Sequence, residues 1–366
     1  MSAYIAAACR SPIAPRGGAL AALSLQELAA PVLVRALQLA GLCAQDVDEV
    51  ILSNALGAGG NPARIVALAA GLPEHVAGLS IDRQCAGGLD AVLLARMMIA
   101  SGGADVVIAG GAESYSRRPI RHRSFADGRP PEPYDQAPFT PWPERDPDMA
   151  QAADTLAKAQ GISRAEQDDW AIASHAKALA HPPTEAEIIP LAGLTNDAFA
   201  RRLSPALCRR AQQVTGNITA ANAAVAADGA AFCVVVSEKI AARLSSPMIE
   251  ILGGATLGGA PECPGLAPVP AIARALADTG RTGADLRAAE VMEAYAVQAI
   301  ACQRGAGLDP EIVNLGGGAL ARGHPIGASG AVNAVRLYHE LAKSGGTGLA
   351  AIAAAGGIGT SVILGA

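Results

Sequence analysis

Apolar and polar positions fall into two long series of short strands and helices, separated by a polar, proline-rich stretch. Residues 4–9 read as an apolar strand ending at Ser11-Pro12. Ser24 is placed to cap a helix over residues 25–41, which closes on a glycine as helix C-termini often do. Residues 46–53 lead into a second strand, and Asn61-Pro62-Ala63-Arg64 opens a helix with proline early in it. Residues 76–81 read as a short strand. Residues 86–100 are apolar almost all round, the pattern of a buried helix, and Ser101-Gly102-Gly103 stops it. A wholly apolar strand over 104–109 then runs into Gly110-Gly111-Ala112-Glu113. Strand and helix alternating in this way predict an α/β fold.

The character changes at residue 114. Arg117, Arg118, Arg121, His122 and Arg123 cluster, and prolines recur up to Pro147, predicting a long irregular excursion. Helices follow over 149–160 and 164–180, the second with a Ser163–Glu166 capping box. A small-residue loop over 219–229 precedes a strand over 230–236. From residue 248 a second α/β series runs to the end. The two series look like copies. Shifted by 243 positions, Gly87, Ala91, Leu94, Ser101, Gly102 and Gly103 fall on Gly330, Ala334, Leu337, Ser344, Gly345 and Gly346. Each copy then enters an apolar strand that we expect to end at a glycine pair, Gly110-Gly111 or Gly356-Gly357. A duplication of this kind places two helix N-termini near a pseudo-twofold axis, a favourable setting for anionic chemistry.

Composition narrows the possibilities. A chain of 366 residues calls for two or three domains. It is 51% hydrophobic and 17% charged, with mean hydropathy +0.28, which implies extensive burial. No apolar run reaches the roughly 18–20 residues of a membrane span without Gly, Pro or charge intervening, so no membrane association is expected. The first residues pass directly into an apolar strand, so no cleaved leader is expected. Seven cysteines without metal-ligand spacing predict reduced thiols, a cytoplasmic setting and no metal. A net charge of −5 without a basic block, and 3% aromatic content, argue against nucleic acid as a partner.

Two residues carry candidate chemistry. Cys85, in Asp82-Arg83-Gln84-Cys85-Ala86-Gly87-Gly88, falls where a strand gives way to the apolar helix. Unpaired N–H groups and the helix dipole at that point lower a thiol pKa. Position alone leaves two roles open, an activated nucleophile and a structural cysteine. His324 lies in the glycine-rich segment Gly323-His324-Pro325-Ile326-Gly327-Ala328-Ser329-Gly330, ahead of the second copy of that helix. The pseudo-symmetry would bring it to face Cys85, and a Cys–His pair is an activated nucleophile.

With these motifs in order, together with Gly110-Gly111-Ala112-Glu113-Ser114 and Asp228-Gly229-Ala230-Ala231, the chain resembles the thiolase family from end to end. The resemblance implies a thiolase-like α/β fold: two duplicated core domains in five α-β-α-β-α layers with an inserted loop domain. The corresponding division is 1–112 with 226–246, 113–225 for the CoA-binding loop domain, and 247–366. It also implies a homodimer or homotetramer, and CoA or acyl-CoA as substrate without a metal or prosthetic group. The family's acyl-carrying cysteine corresponds to Cys85 and its activating histidine to His324. A second oxyanion site would use the Cys85 N–H and one near Gly357. CoA contacts would come from Met149, Ala224, Arg117, Arg118 and Arg121.

Two departures bear on the reaction. The family's Asn-Glu-Ala-Phe-Ala is Met292-Glu293-Ala294-Tyr295-Ala296 here, so the water-holding asparagine is a methionine. The second catalytic cysteine is Ala353, whose methyl cannot move a proton. Met292, Tyr295, Ala353 and Gly357 are therefore the expected lining beside Cys85. Acylation of Cys85 should survive, whereas ordinary thiolysis or acetyl-CoA condensation should suffer. The residues leave three readings: a thiolase-type acyltransferase, expected in fatty acid metabolism; an acyl transfer or condensation with an acceptor other than acetyl-CoA; and a weakly active CoA-binding or assembly subunit.

Overall fold

The computed structural model describes every residue except Ala58. Strand β1 (Ala3–Arg10) is followed by helix α1 (Leu25–Ala40). Ser24 and Glu27 form a reciprocal capping box at its start, and Gly41 ends it in the left-handed region at φ 71°. Then come β2 (Glu49–Ser53), α2 (Pro62–Ala69), the short β3 (Leu79–Ile81), α3 (Gly87–Ala100) and β4 (Val106–Glu113). The excursion holds α4 (Met149–Gln160) and α5 (Arg164–Ala180). The chain returns as β5 (Ala227–Ser237), then β6 (Ile249–Gly258), α6 (Pro268–Asp278), β7 (Leu286–Val291), α7 (Ala296–Gly305), α8 (Ile326–Ser344), β8 (Thr347–Ala354) and β9 (Ile358–Gly365).

The strands run in the order β7-β8-β9-β6-β1-β5-β4-β2-β3, with Ala14–Pro15 pairing β5 as a tenth strand. Each half repeats one scheme: β2 is parallel to β4 and β7 to β8, and the next pairings inward are antiparallel. The two half-sheets join where β1 meets β6, through Tyr4–Glu250 and Ile5–Ile249.

Alternation along the strands builds the layers. Val107 and Ala109 of β4 enter a central apolar cluster with α3, α8 and Ala350 and Ile352 of β8. Val106 and Ile108 face α1 and α2 on the other side, and Leu349 and Ala351 face α6. The result is five layers: outer helices, half-sheet, the α3–α8 pair, half-sheet, outer helices. The paired helices cross at small residues. A Cβ on Gly88 would lie 2.6 Å from the Ala331 amide, and one on Gly330 2.5 Å from that of Leu89.

One expectation needs correction. Gly110-Gly111 does not follow its strand; it lies inside β4, which continues to Glu113. A Cβ on Gly111 would sit 2.1 Å from the Gly327 carbonyl, so close backbone approach, not turning, demands glycine there. Gly356-Gly357 does lie in a turn, at φ 80° and 78°, so the two glycine pairs are not structural equivalents.

Candidate active site

Cys85 is presented by a tight turn. The Asp82 carboxylate accepts from the Gln84 amide at 2.8 Å and from its side chain at 2.9 Å, and Gln84 is held at φ 48°. A non-glycine residue in that region carries strain and is uncommon outside functional sites. The turn delivers Cys85 to the base of α3. From the other half, His324 is set by its own amide donating to the Val225 carbonyl at 2.8 Å.

The Cys85 Sγ and His324 Nε2 stand 3.1 Å apart, although 239 residues separate them. His324 Nδ1 lies 2.6 Å from the Ser329 hydroxyl, which itself donates to the Pro325 carbonyl at 3.3 Å. With the hydroxyl hydrogen so directed, Ser329 accepts from Nδ1–H, and Nε2 is left to receive the thiol proton.

The expected lowering of the Cys85 pKa is not found. Burial pushes the thiol up to about 12, with Glu113 and Asp82 adding to the rise and the Cys85 backbone N–H opposing it. Burial also lowers His324 to about 4. Desolvation of a charge outweighs the helix N-terminus here, and both shifts favour the uncharged thiol and the uncharged imidazole. The same burial raises Glu113 to about 7. Its carboxylate accepts from the Asn54 side chain and from the amides of Ala55, Leu56 and Gly327, tying the loop after β2 to the start of α8.

Cys85 and His324 share the wall of a cavity of about 420 Å³ with Tyr295 and Ala353–Ala355. Met149, Ala152 and Leu156 of α4 close another side, and Ala224 also lines it. Arg118 and Arg121 line it too; Arg118 lies over the Tyr115 ring at 4.8 Å and pairs with Asp135 at 3.1 Å.

Three expected site residues lie elsewhere. Arg117 is not on the wall: its guanidinium donates to the Ala22 carbonyl at 2.9 Å. Met292 is 1% exposed within the central apolar cluster, because a thioether packs there without needing a polar partner. Gly357 is not on the cavity wall; its carbonyl accepts from the Gly259 amide at 2.7 Å. Ser329, Gln84 and Gln298 are site residues that the sequence reading did not single out. Ser329 could have been found from its place five residues after His324, since that spacing lets a helix residue reach back to the ring. No group of three or more His, Cys, Asp or Glu with metal-binding geometry occurs among the described residues, and none of their helices is long and apolar enough to cross a membrane.

Two duplicated half-sheets around a paired helix core, with cysteine and histidine converging at the helix bases, define a thiolase-type protein. The chain belongs to the thiolase family: the thiolase N-terminal domain matches residues 3–239 and the C-terminal domain residues 245–366. It is 39% identical to the Bacillus subtilis (strain 168) protein YhfS over 99% of both chains; that protein's name carries a provisional acetyl-CoA C-acetyltransferase assignment. The fold is similar to the crystal structure of the Bacillus anthracis acetyl-CoA acetyltransferase (TM-score 0.89, 33% identity, 100% of this chain and 98% of that one). It is likewise similar to human mitochondrial 3-ketoacyl-CoA thiolase in complex with CoA (TM-score 0.91, 29% identity, 100% of this chain and 98% of that one).

Proposed function

We propose that this thiolase is an acyltransferase that carries an acyl group from a CoA thioester on the sulfur of Cys85. The observation that carries the reading is the 3.1 Å contact between Sγ and Nε2 at a cavity wall. When the thioester carbonyl arrives, the thiol proton passes to Nε2 as the sulfur adds to the carbonyl carbon. The CoA sulfur leaves and takes up that proton, so no net charge remains in a buried site. The shifts of both groups toward their uncharged forms suit this concerted transfer.

The 1–112/226–246, 113–225 and 247–366 division, with CoA lying along α4 and the excursion, belongs to the same reading. Arg118 and Arg121, two of the cavity arginines beside the exposed Arg16, are cations suited to CoA phosphates. No metal or prosthetic group has a role in it, and a cytoplasmic setting with reduced thiols suits the nucleophile. The edge strand β3, with Leu79 43% exposed beside Ile65 and Leu68 of α2, is a surface on which a second copy could pair, as a homodimer or homotetramer requires.

The methyl of Ala353 on the cavity wall favours a second reading, transfer to an acceptor other than acetyl-CoA. The experiment is intact-mass measurement after incubation with acetyl-CoA and longer acyl-CoAs. An acyl adduct on wild type and none on Cys85→Ala is the expected result. CoA binding with no adduct at any chain length would overturn acyl transfer in favour of an assembly role. If the adduct forms, thiolysis of acetoacetyl-CoA then separates the first reading from the second.

A further inference from the structure

We propose that the Tyr295 hydroxyl is the hydrogen-bond donor to the thioester oxygen of the acyl-CoA enolate that leaves in cleavage or attacks in condensation, a donor that neither Met292 nor Ala353 supplies. The inference rests on acyl transfer through Cys85 as proposed above.

Tyr295 is fixed on three sides. Its carbonyl accepts from the Gln298 and Ala299 amides at the start of α7, its backbone bridges to Ala223, and its ring packs against the apolar cluster of α4 and α7. The side chain lines the cavity that holds Cys85, and its hydroxyl bonds no group among the described residues. Of the other polar side chains of the cavity, Arg16, Asp135 and Gln136 are exposed, and Tyr115, whose hydroxyl likewise bonds no group among the described residues, holds Arg16 and Arg118 over its ring; the rest are engaged. Gln298 accepts from the Ala294 amide and donates to Cys302 Sγ; Gln84 holds Asp82; Arg121 holds the Ala55 carbonyl; Arg118 holds Asp135. His324 is committed to Cys85 and Ser329.

The direction of transfer follows from the surroundings. Burial, with the Asp148 carboxylate and Cys85 adding to the rise, holds the phenol above its ordinary pKa. Tyr295 therefore keeps its proton and acts as a donor, not as a base. In cleavage of a 3-oxoacyl-CoA, the Cys85 sulfur bonds to the keto carbon and its proton goes to His324. The bond from the keto carbon to the α-carbon breaks, and its electron pair spreads onto the thioester oxygen, where the Tyr295 hydroxyl donates. The proton on His324 then completes the α-carbon, giving a shorter acyl-CoA and the Cys85 thioester. No residue at 353 needs to move a proton in this scheme.

The test is Tyr295→Phe, which removes one oxygen and leaves the ring. Thiolysis of acetoacetyl-CoA should fall on the order of 100-fold in kcat, the usual loss for one oxyanion donor, with KM within about threefold. Single-turnover acylation of Cys85 by acetyl-CoA, read by intact mass, passes through no enolate and should change by less than about tenfold. A kcat for Tyr295→Phe within about threefold of wild type would overturn the inference. So would a wild type that acylates yet shows no thiolysis. A wild type that forms no Cys85 adduct overturns the underlying reading instead.

Discussion

The two halves of this molecule share a scaffold and differ in what they place at the base of their central helix. In the first half a carboxylate-pinned turn delivers a sulfur to the start of α3. In the second, a short glycine-bounded helix delivers an imidazole just ahead of α8, ring-locked by Ser329. The backbone repeat secures proximity, because α3 and α8 cross where Gly88 and Gly330 let their backbones touch. The chemistry lies in the departures from the repeat. A duplicated fold thus offers two equivalent helix bases, and unlike residues at those bases form the pair on which the proposed chemistry rests.

Breaking the pair should have the largest effects. Cys85→Ala should abolish the acyl adduct and lower turnover by at least about 10⁴-fold, measured by intact mass and steady-state kinetics. His324→Gln should leave a slow adduct, with acylation down roughly 10²- to 10⁴-fold in rapid-quench experiments. The unequal losses would separate the half that bonds substrate from the half that moves its proton.

Disturbing the shared scaffold comes next. Gly88→Ala or Gly330→Ala forces a methyl onto facing backbone, and either should cost about 1–3 kcal/mol in denaturant unfolding. Gly103→Ala, whose Cβ would meet its nearest neighbour at an ordinary 3.4 Å, should change stability by less than about 0.5 kcal/mol.

The pH profile sharpens the electrostatic side. The imidazole must be neutral to accept the thiol proton. With His324 lowered to about 4, acylation should persist below pH 6 and fail only as pH drops toward that value. The thiol at about 12 predicts that iodoacetamide alkylation of Cys85 keeps rising from pH 7 to 10 without a plateau. A thiolate–imidazolium pair at rest would instead give alkylation independent of pH across that range. The smallest effects should come from the excursion. Arg121→Ala should raise the KM for CoA about threefold to tenfold, and Arg117→Ala, turned toward Ala22, should leave it within about twofold.

Much of the fold was legible before any coordinates. The caps of α1 and α5 depend on hydrogen bonds between residues three apart, Ser24–Glu27 and Ser163–Glu166, so sequence shows them directly. The helices Met149–Gln160 and Arg164–Ala180 follow from the same local signals. The extension of β4 through Gly110-Gly111 was not legible, because glycine marks both a turn and a close approach. Nor was the role of Ser329 or the loss of Arg117 from the cavity, since a side chain's direction depends on neighbours far along the chain.

Sequence by itself determined the duplicated α/β plan, the family, and the two residues that carry the candidate chemistry. Only the tertiary structure decided that Cys85 and His324 meet at 3.1 Å, that Met292 retires into the core, and that Tyr295 lines the same cavity with its hydroxyl unpartnered among the described residues. The reason is physical. Capping and periodicity act over a few residues and are written in their order. Desolvation and contact depend on what distant segments enclose, and the enclosure exists only once the two halves have closed on each other.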